Sequence, residues 1–216
     1  MDLRKVVRPD WIDACTRLTP LPLAARSFTR AYNSEVRKHA VHFFGCVYSY
    51  LRGYRYNFPF MWPTLYLAPD MLTAAAEIDR NAAAALGALR TRHALYQYVD
   101  VAVTANVLDL TDAAVRRAFG VDRDDLLVPT DDWRAEMDRD EVPLAAELGA
   151  AAALDRRFDG ILYPSYAAHA FLELEKANLA LFMHTDPPCA KPRRAGAKLE
   201  LDPDDVEQLK NIGCIV

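Results

Sequence analysis

Arg55, Tyr66 and Glu77 follow one another at intervals of eleven residues. Arg55 lies in an aromatic stretch, Tyr66 in the short apolar run Thr64 to Ala68, and Glu77 on the helix opened by Pro69-Asp70. A cation, a ring with a polar tip and a carboxylate on three successive elements can converge on one cleft. Glu77 sits about a quarter-turn from Ile78, off the apolar stripe of that helix. The same spacing is also met by charges that simply face water. Ser165 ends the run Gly160-Ile161-Leu162-Tyr163-Pro164 and so places a hydroxyl at a strand's C-terminal edge, a common position for ligand contacts. It reads equally as the N-cap of a helix starting at Tyr166. No G-x-S-x-G elbow is present, which disfavours a serine hydrolase.

Other chemistry-bearing residues are less ordered. His39, His42 and Cys46 stand at i, i+3 and i+7 and would share a helix face suited to zinc, but no fourth ligand is nearby. They read as core, and no metal site is expected. His93, His169 and His184 are isolated; His169, shortly after Ser165, can line the same cleft. Cys15, Cys46, Cys189 and Cys214 form no CxxC pair and read as reduced cytosolic thiols.

The elements that must position these residues follow from pattern. Pro9 to Leu18 reads as a helix stopped before Pro20 and Pro22. Ser27 to Tyr32 and Thr64 to Ala68 read as strands. Residues 33–63 suggest a helix followed by a long aromatic loop. Asp70 is a plausible cap for a helix whose stripe is Met71, Ala75, Ile78, Ala82, Ala85, Leu86 and Leu89. Val99 to Val107 alternate as a half-buried strand. Thr111 caps a short helix ended by Gly120, and Pro143 to Arg156 is helical. Gly160 to Tyr163 and Leu179 to Phe182 are strands flanking a helix from Tyr166 to Lys176. Residues 185–197 read as a mobile tail, and Pro203 starts a last helix. Without regular βαβ alternation, GxGxxG or a Walker motif, the expected class is α+β, with sheets partly covered by helices.

Composition sets the outer limits. The 216 residues, 52% hydrophobic and 26% charged, suit a folded chain with its own core. Residues 1–108 carry a net +5 and residues 109–216 a net −9, giving the overall −4. That is too acidic for direct nucleic-acid binding, although the basic half suits an anionic small molecule. Asp122 to Glu141 holds nine acids and three arginines, and reads as a solvated face. No apolar run approaches the roughly 20 residues of a membrane helix, and no secretory signal is visible, so no membrane association and a cytoplasmic location are expected.

Taken in order, four segments resemble the RES-domain family. They are Phe28-Thr29-Arg30-Ala31-Tyr32; Arg55-Tyr56-Asn57; Leu65-Tyr66-Leu67-Ala68 leading to Ala74-Ala75-Ala76-Glu77; and Gly160 to Ser165. Asn178 to Phe182 resembles the closing strand of that domain. The likeness covers roughly residues 26–185, leaving 1–25 as a helical N-terminal extension and 186–216 as a tail with a short helix. Gly53 is kept from the family's Gly-rich turn, Tyr54 replaces the expected neighbour, and Phe58 to Pro63 is unusually bulky.

The resemblance implies an ADP-ribosyltransferase-like fold and an enzyme that consumes NAD by breaking the nicotinamide–ribose bond. Transfer to water, to phosphate or to a protein would use the same residues. It implies NAD as substrate and no separate cofactor. It further implies the toxin half of a toxin–antitoxin pair or a related effector, partnered by a helix-turn-helix antitoxin, with self-association into a homo-oligomer left open. Glu77 would stabilise the cationic ribose and Arg55 would grip the pyrophosphate in forked hydrogen bonds, with Arg30 as the second candidate. Tyr66 would pack against nicotinamide and Ser165 would orient the substrate. Two other readings remain: a RES-like fold that binds a nucleotide or partner without turnover, its pocket closed by residues 58–63, and an interaction protein using its acidic 122–141 surface.

Overall fold

The alternation of Val99, Val101, Val103, Ala105 and Val107 produces a strand, β3 (Tyr96–Asp109), with one wholly buried face. In the computed structural model of the protein, which describes residues 2–33, 44–86, 96–128, 135–137, 139, 141–184 and 191–203, β3 lies inside a six-stranded mixed sheet. It pairs antiparallel with β1 (Leu21–Asn33) and β6 (Lys198–Leu201), and parallel with β4 (Gly160–Pro164). β4 pairs antiparallel with β5 (Ala177–Phe182), and β5 with β2 (Thr64–Leu67). The order is therefore β1-β3-β4-β5-β2. Thr29 and Ala68 exchange two backbone hydrogen bonds, of 2.7 and 3.0 Å, so the two ends of this order meet.

That meeting divides the core in two. Phe28, Val101, Leu162, Leu179 and Leu65, one from each strand of the order, point to one face and form a single cluster. The opposite face, with Ile161, Tyr163, Ala180 and Phe182, is covered by α1 (Pro9–Arg17) and the Ala-rich helix α6 (Leu144–Leu154). Between these lie α2 (Val47–Arg52), α3 (Met71–Leu86), α4 (Ala113–Ala118) and α5 (Arg123–Leu126); α7 (Tyr166–Leu172) joins β4 to β5. Trp11 locks α1 down, its Nε1–H donating to the Phe119 carbonyl at 3.0 Å while the rings meet edge to face at 5.7 Å.

The small residues of α6 let it lie directly on the aromatic loop. A Cβ at Gly149 would fall 2.1 Å from the Tyr56 carbonyl oxygen, which is backbone and has little room to yield. Gly149→Ala should therefore destabilise the protein by about 3 kcal/mol, the upper part of the range for overpacking. Thermal unfolding checks this, and an unchanged midpoint would mean that α6 does not press on the loop as described.

Several expectations change. Leu21–Arg26 belong to β1 rather than to a helical extension ending at residue 25, and Pro22 is tolerated because β1 ends the strand order. The register shifts between Leu23 and Arg26, where Ala25 has φ 50°. Lys198–Leu201, assigned to the tail, add β6 to the sheet. Asp112, not Thr111, caps α4: its Oδ1 accepts from Ala114 N–H at 2.6 Å, while the Thr111 hydroxyl is held by Asp109. α7 stops at Leu172 because Glu173 turns left-handed, φ 54°. Met71 is 61% exposed, and α3 instead buries Thr73, Ala74, Ala76 and Ile78. His39, His42, His93, Cys189, Cys214 and the final helix beyond Pro203 fall outside the described residues; Cys15 and Cys46 are buried, and the Cys46 thiol donates to the Phe44 carbonyl at 3.0 Å. No helix among the described residues is long and apolar enough to cross a membrane.

Candidate functional site

The end of β4 and the start of β5 lie side by side, Tyr163 opposite Asn178 and Pro164 opposite Ala177. Alternation sends Tyr163, Ser165 and Asn178 to the same face. Ser165 does two things there. Its Oγ accepts the Ala168 N–H at 3.1 Å, capping α7, and donates to Glu77 Oε1 at 2.9 Å. Asn178 Nδ2 donates to the same carboxylate oxygen at 2.8 Å. Asn178 Oδ1 is buried without a hydrogen-bond partner, an acceptor still to be satisfied.

Glu77 reaches this point because β2 feeds α3, and α3 packs along α7. The Asp70 carboxylate caps α3 through the Thr73 N–H at 2.8 Å and meets Lys176 Nζ at 3.3 Å, just before β5. Burial opposes its charge, but the Thr73 N–H and hydroxyl and the Lys176 ammonium together hold it below the ordinary carboxylate value. The start of the Glu77 helix is thereby tied to the strand that carries Asn178.

Tyr66 stands on the neighbouring strand, opposite Ala180. Its hydroxyl donates to Asn57 Oδ1 at 2.9 Å and accepts the Tyr56 N–H at 3.0 Å. Asn57 is fully buried, and its amide also donates to the carbonyls of Ser49 and Trp62 at 2.7 and 3.3 Å. Burial, then the neighbouring Tyr163, pushes the Tyr66 phenol well above its ordinary range, so it remains a neutral donor. The Tyr54 ring lies 5.6 Å from that of Tyr66.

The two arginines differ in what holds them. Arg30 Nη1 donates to the Tyr66 carbonyl at 3.0 Å, and its buried Nε has no partner. Burial pushes its guanidinium down, with Cys46, Tyr54 and Tyr32 acting the other way. Arg55 is 6% exposed and donates to the carbonyls of Leu126, at 3.0 Å, and Val128. Its fork closes the end of α5. The structure thus brings Glu77 and Ser165 into contact, joins Arg30 to Tyr66, and places Arg55 on the 126–128 segment. His169 is exposed and lies 3.8 Å from Glu175. Among the described residues no cluster of three His, Cys, Asp or Glu side chains suits a metal. Asn178 and Asn57 were not singled out by sequence reasoning. Asn178 is the one polar residue in the run Ala177–Phe182, a buried amide where a wholly apolar residue would pack.

The bulky segment 58–63 turns inward at the other end of the strands. Phe58 packs on Trp62 and Trp62 on Phe182, with ring centroids 6.3 and 6.2 Å apart. Phe60 alone among its rings is largely exposed, at 63%.

A family model described as the RES domain matches residues 27–204, and the chain belongs to the RES-domain family. Proteins named NAD(+) phosphorylase MbcT, from Mycobacterium bovis and Mycobacterium tuberculosis, are 37% identical to it over 83 residues, 38% of this chain and 44% of theirs. The chain thus matches less than half the length of those curated relatives. The fold is similar to that of a chain in the crystal structure of the M. tuberculosis MbcT–MbcA toxin–antitoxin complex. That match has a TM-score of 0.58 and 19% identity, and covers 94% of this chain and 98% of the other.

Proposed function

We propose that this protein cleaves the nicotinamide–ribose bond of NAD, with phosphate as the acceptor. The observation that carries the reading is the Glu77 carboxylate held by two donors, Ser165 and Asn178, at the edge shared by β4 and β5. Membership of the RES-domain family and the likeness to NAD(+) phosphorylases favour the substrate and, among water, phosphate and protein, the acceptor. NAD is the substrate, and no further cofactor takes part. The reaction belongs in the cytoplasm, and an antitoxin protein is the partner that the toxin–antitoxin neighbour suggests.

Chemically, the C1′–N bond breaks with its electron pair leaving to the nicotinamide ring, which departs neutral. A phosphate oxygen then bonds to C1′, giving ADP-ribose 1-phosphate. Positive charge builds on the ribose in between, as at glycosidic centres. A carboxylate fixed in place before the reaction stabilises that charge without having to reorganise. Ser165 and Asn178 set its orientation. The Tyr54–Tyr66 ring pair offers a flat wall for nicotinamide, and Arg30, with its unspent Nε, grips the pyrophosphate. Arg55 holds the loop behind Tyr56 in place.

The test is NAD consumption by the purified chain with and without phosphate. Dependence on phosphate, with ADP-ribose 1-phosphate as product, is the expected result. Equal turnover in phosphate-free buffer, yielding ADP-ribose, would transfer the reading to a glycohydrolase, and no turnover in either would end it.

Ser165→Ala separates that residue's two contacts. Loss of the cap should cost about 1 kcal/mol of stability. Misplacement of the Glu77 carboxylate should cost roughly tenfold to a hundredfold in turnover. Thermal unfolding beside kinetics measures both, and a stability loss with turnover intact would reduce Ser165 to a helix cap.

A further inference from the structure

A pocket of about 480 Å³ opens at the other end of the sheet from Glu77, lined by Leu3, Met61, Trp62, Phe158, Met183 and three arginines, Arg156, Arg193 and Arg194, among others. Phe158 lies just before β4 and Ser165 just after it. At about 3.3 Å per residue in an extended strand, the two ends are roughly 20 Å apart. This pocket is therefore separate from the site that holds Glu77.

Its walls carry three arginines and His184, and the nearby Asp159 Oδ1 is a buried acceptor without a hydrogen-bond partner. No carboxylate is among the lining residues. Asp159, behind Arg194, meets the Arg194 Nε at 3.4 Å and offsets one of the three positive charges. Arg193 uses Nη1 on the Ala153 carbonyl at 3.1 Å, and Arg156 is exposed. Two buried donors have no acceptor at all: Arg194 Nη1 and the indole Nε1 of Trp62, a residue only 3% exposed. Buried donors left unpaired cost roughly 1–3 kcal/mol each, so this end of the sheet is rich in donors and positive charge. The remaining wall is aromatic and apolar, and the volume falls in the range of small-molecule sites, well beyond the needs of a lone oxyanion.

We infer that this pocket binds a small phosphomonoester whose phosphate meets the arginines and whose flat apolar body rests against Trp62 and Phe158. Arginine forks suit phosphate oxygens, and the aromatic floor suits a ring. The inference does not depend on the reaction proposed for Glu77.

Calorimetric titration of the full chain with phenyl phosphate, inorganic phosphate and phenol tests it. Phenyl phosphate should bind, inorganic phosphate should bind more weakly, and phenol should not bind. Arg156→Glu changes an exposed side chain and should weaken phenyl phosphate at least tenfold, while Arg30→Ala should leave it within twofold. Arg193→Gln should also weaken it, with circular dichroism showing an unchanged fold. Binding lost with Arg30→Ala but kept with Arg156→Glu would put the phosphate at the Glu77 end and overturn the inference. So would equal loss in both variants, or no heat from phenyl phosphate at millimolar concentration.

Discussion

Glu77→Gln should yield a folded protein whose NAD turnover has fallen about 10²–10³-fold, the usual cost of removing one preorganised electrostatic contact. The substitution is chosen for what it keeps. The glutamine carbonyl can still accept from the Ser165 hydroxyl and the Asn178 amide, which now reach Glu77 Oε1 at 2.9 and 2.8 Å. Only the negative charge is lost, and that charge is what a cationic ribose requires. Circular dichroism and thermal unfolding should match the parent while NAD consumption collapses. Substrate affinity should change far less than turnover, because the charge matters most as the bond breaks. Unchanged turnover in a folded Glu77→Gln protein would show that the carboxylate does not face the reacting carbon.

What the sequence discloses here follows the range of its signals. Glu77 and Ser165 lie 88 residues apart, yet both stand at element ends that local pattern could place, an Asp-capped helix and a strand closed by Pro-Ser. Asn178 had no such marker. It stands in an apolar strand, and only the register of β5 against β4 turns it toward Glu77. β1 was cut short because Pro20 and Pro22 look like breakers when the strand's place at the end of the order is unknown. β6 was hidden among lysines, prolines and arginines, since an edge strand of four residues needs a partner more than a pattern. The arginines show the limit most clearly. Arg30 and Arg55 both neighbour aromatics and both suit an anion, and nothing local separates them. The difference lies in the carbonyls of Leu126 and Val128, more than 70 residues beyond Arg55.

That difference yields the second large effect. Arg55→Ala should lower stability by about 3 kcal/mol or more, because it leaves two carbonyls without donors at roughly 1–3 kcal/mol each. Arg55→Lys should recover only part of this, since one ammonium cannot reproduce the fork that spans Leu126 and Val128. Arg30→Ala should behave in the opposite way. Arg30 gives one bond to the Tyr66 carbonyl and keeps its Nε unspent, so its loss should cost less stability and far more NAD affinity. Removing a charge-assisted grip on phosphate is worth about 1.5–3 kcal/mol, or roughly tenfold to a hundredfold in binding. The measurement pairs chemical denaturation with NAD titration in the turnover-deficient Glu77→Gln background, so that binding is read without consumption. If Arg55→Lys folds as stably as the parent yet loses NAD, the pyrophosphate belongs to Arg55 after all. If Arg30→Ala leaves NAD affinity intact, Arg30 serves only to hold Tyr66.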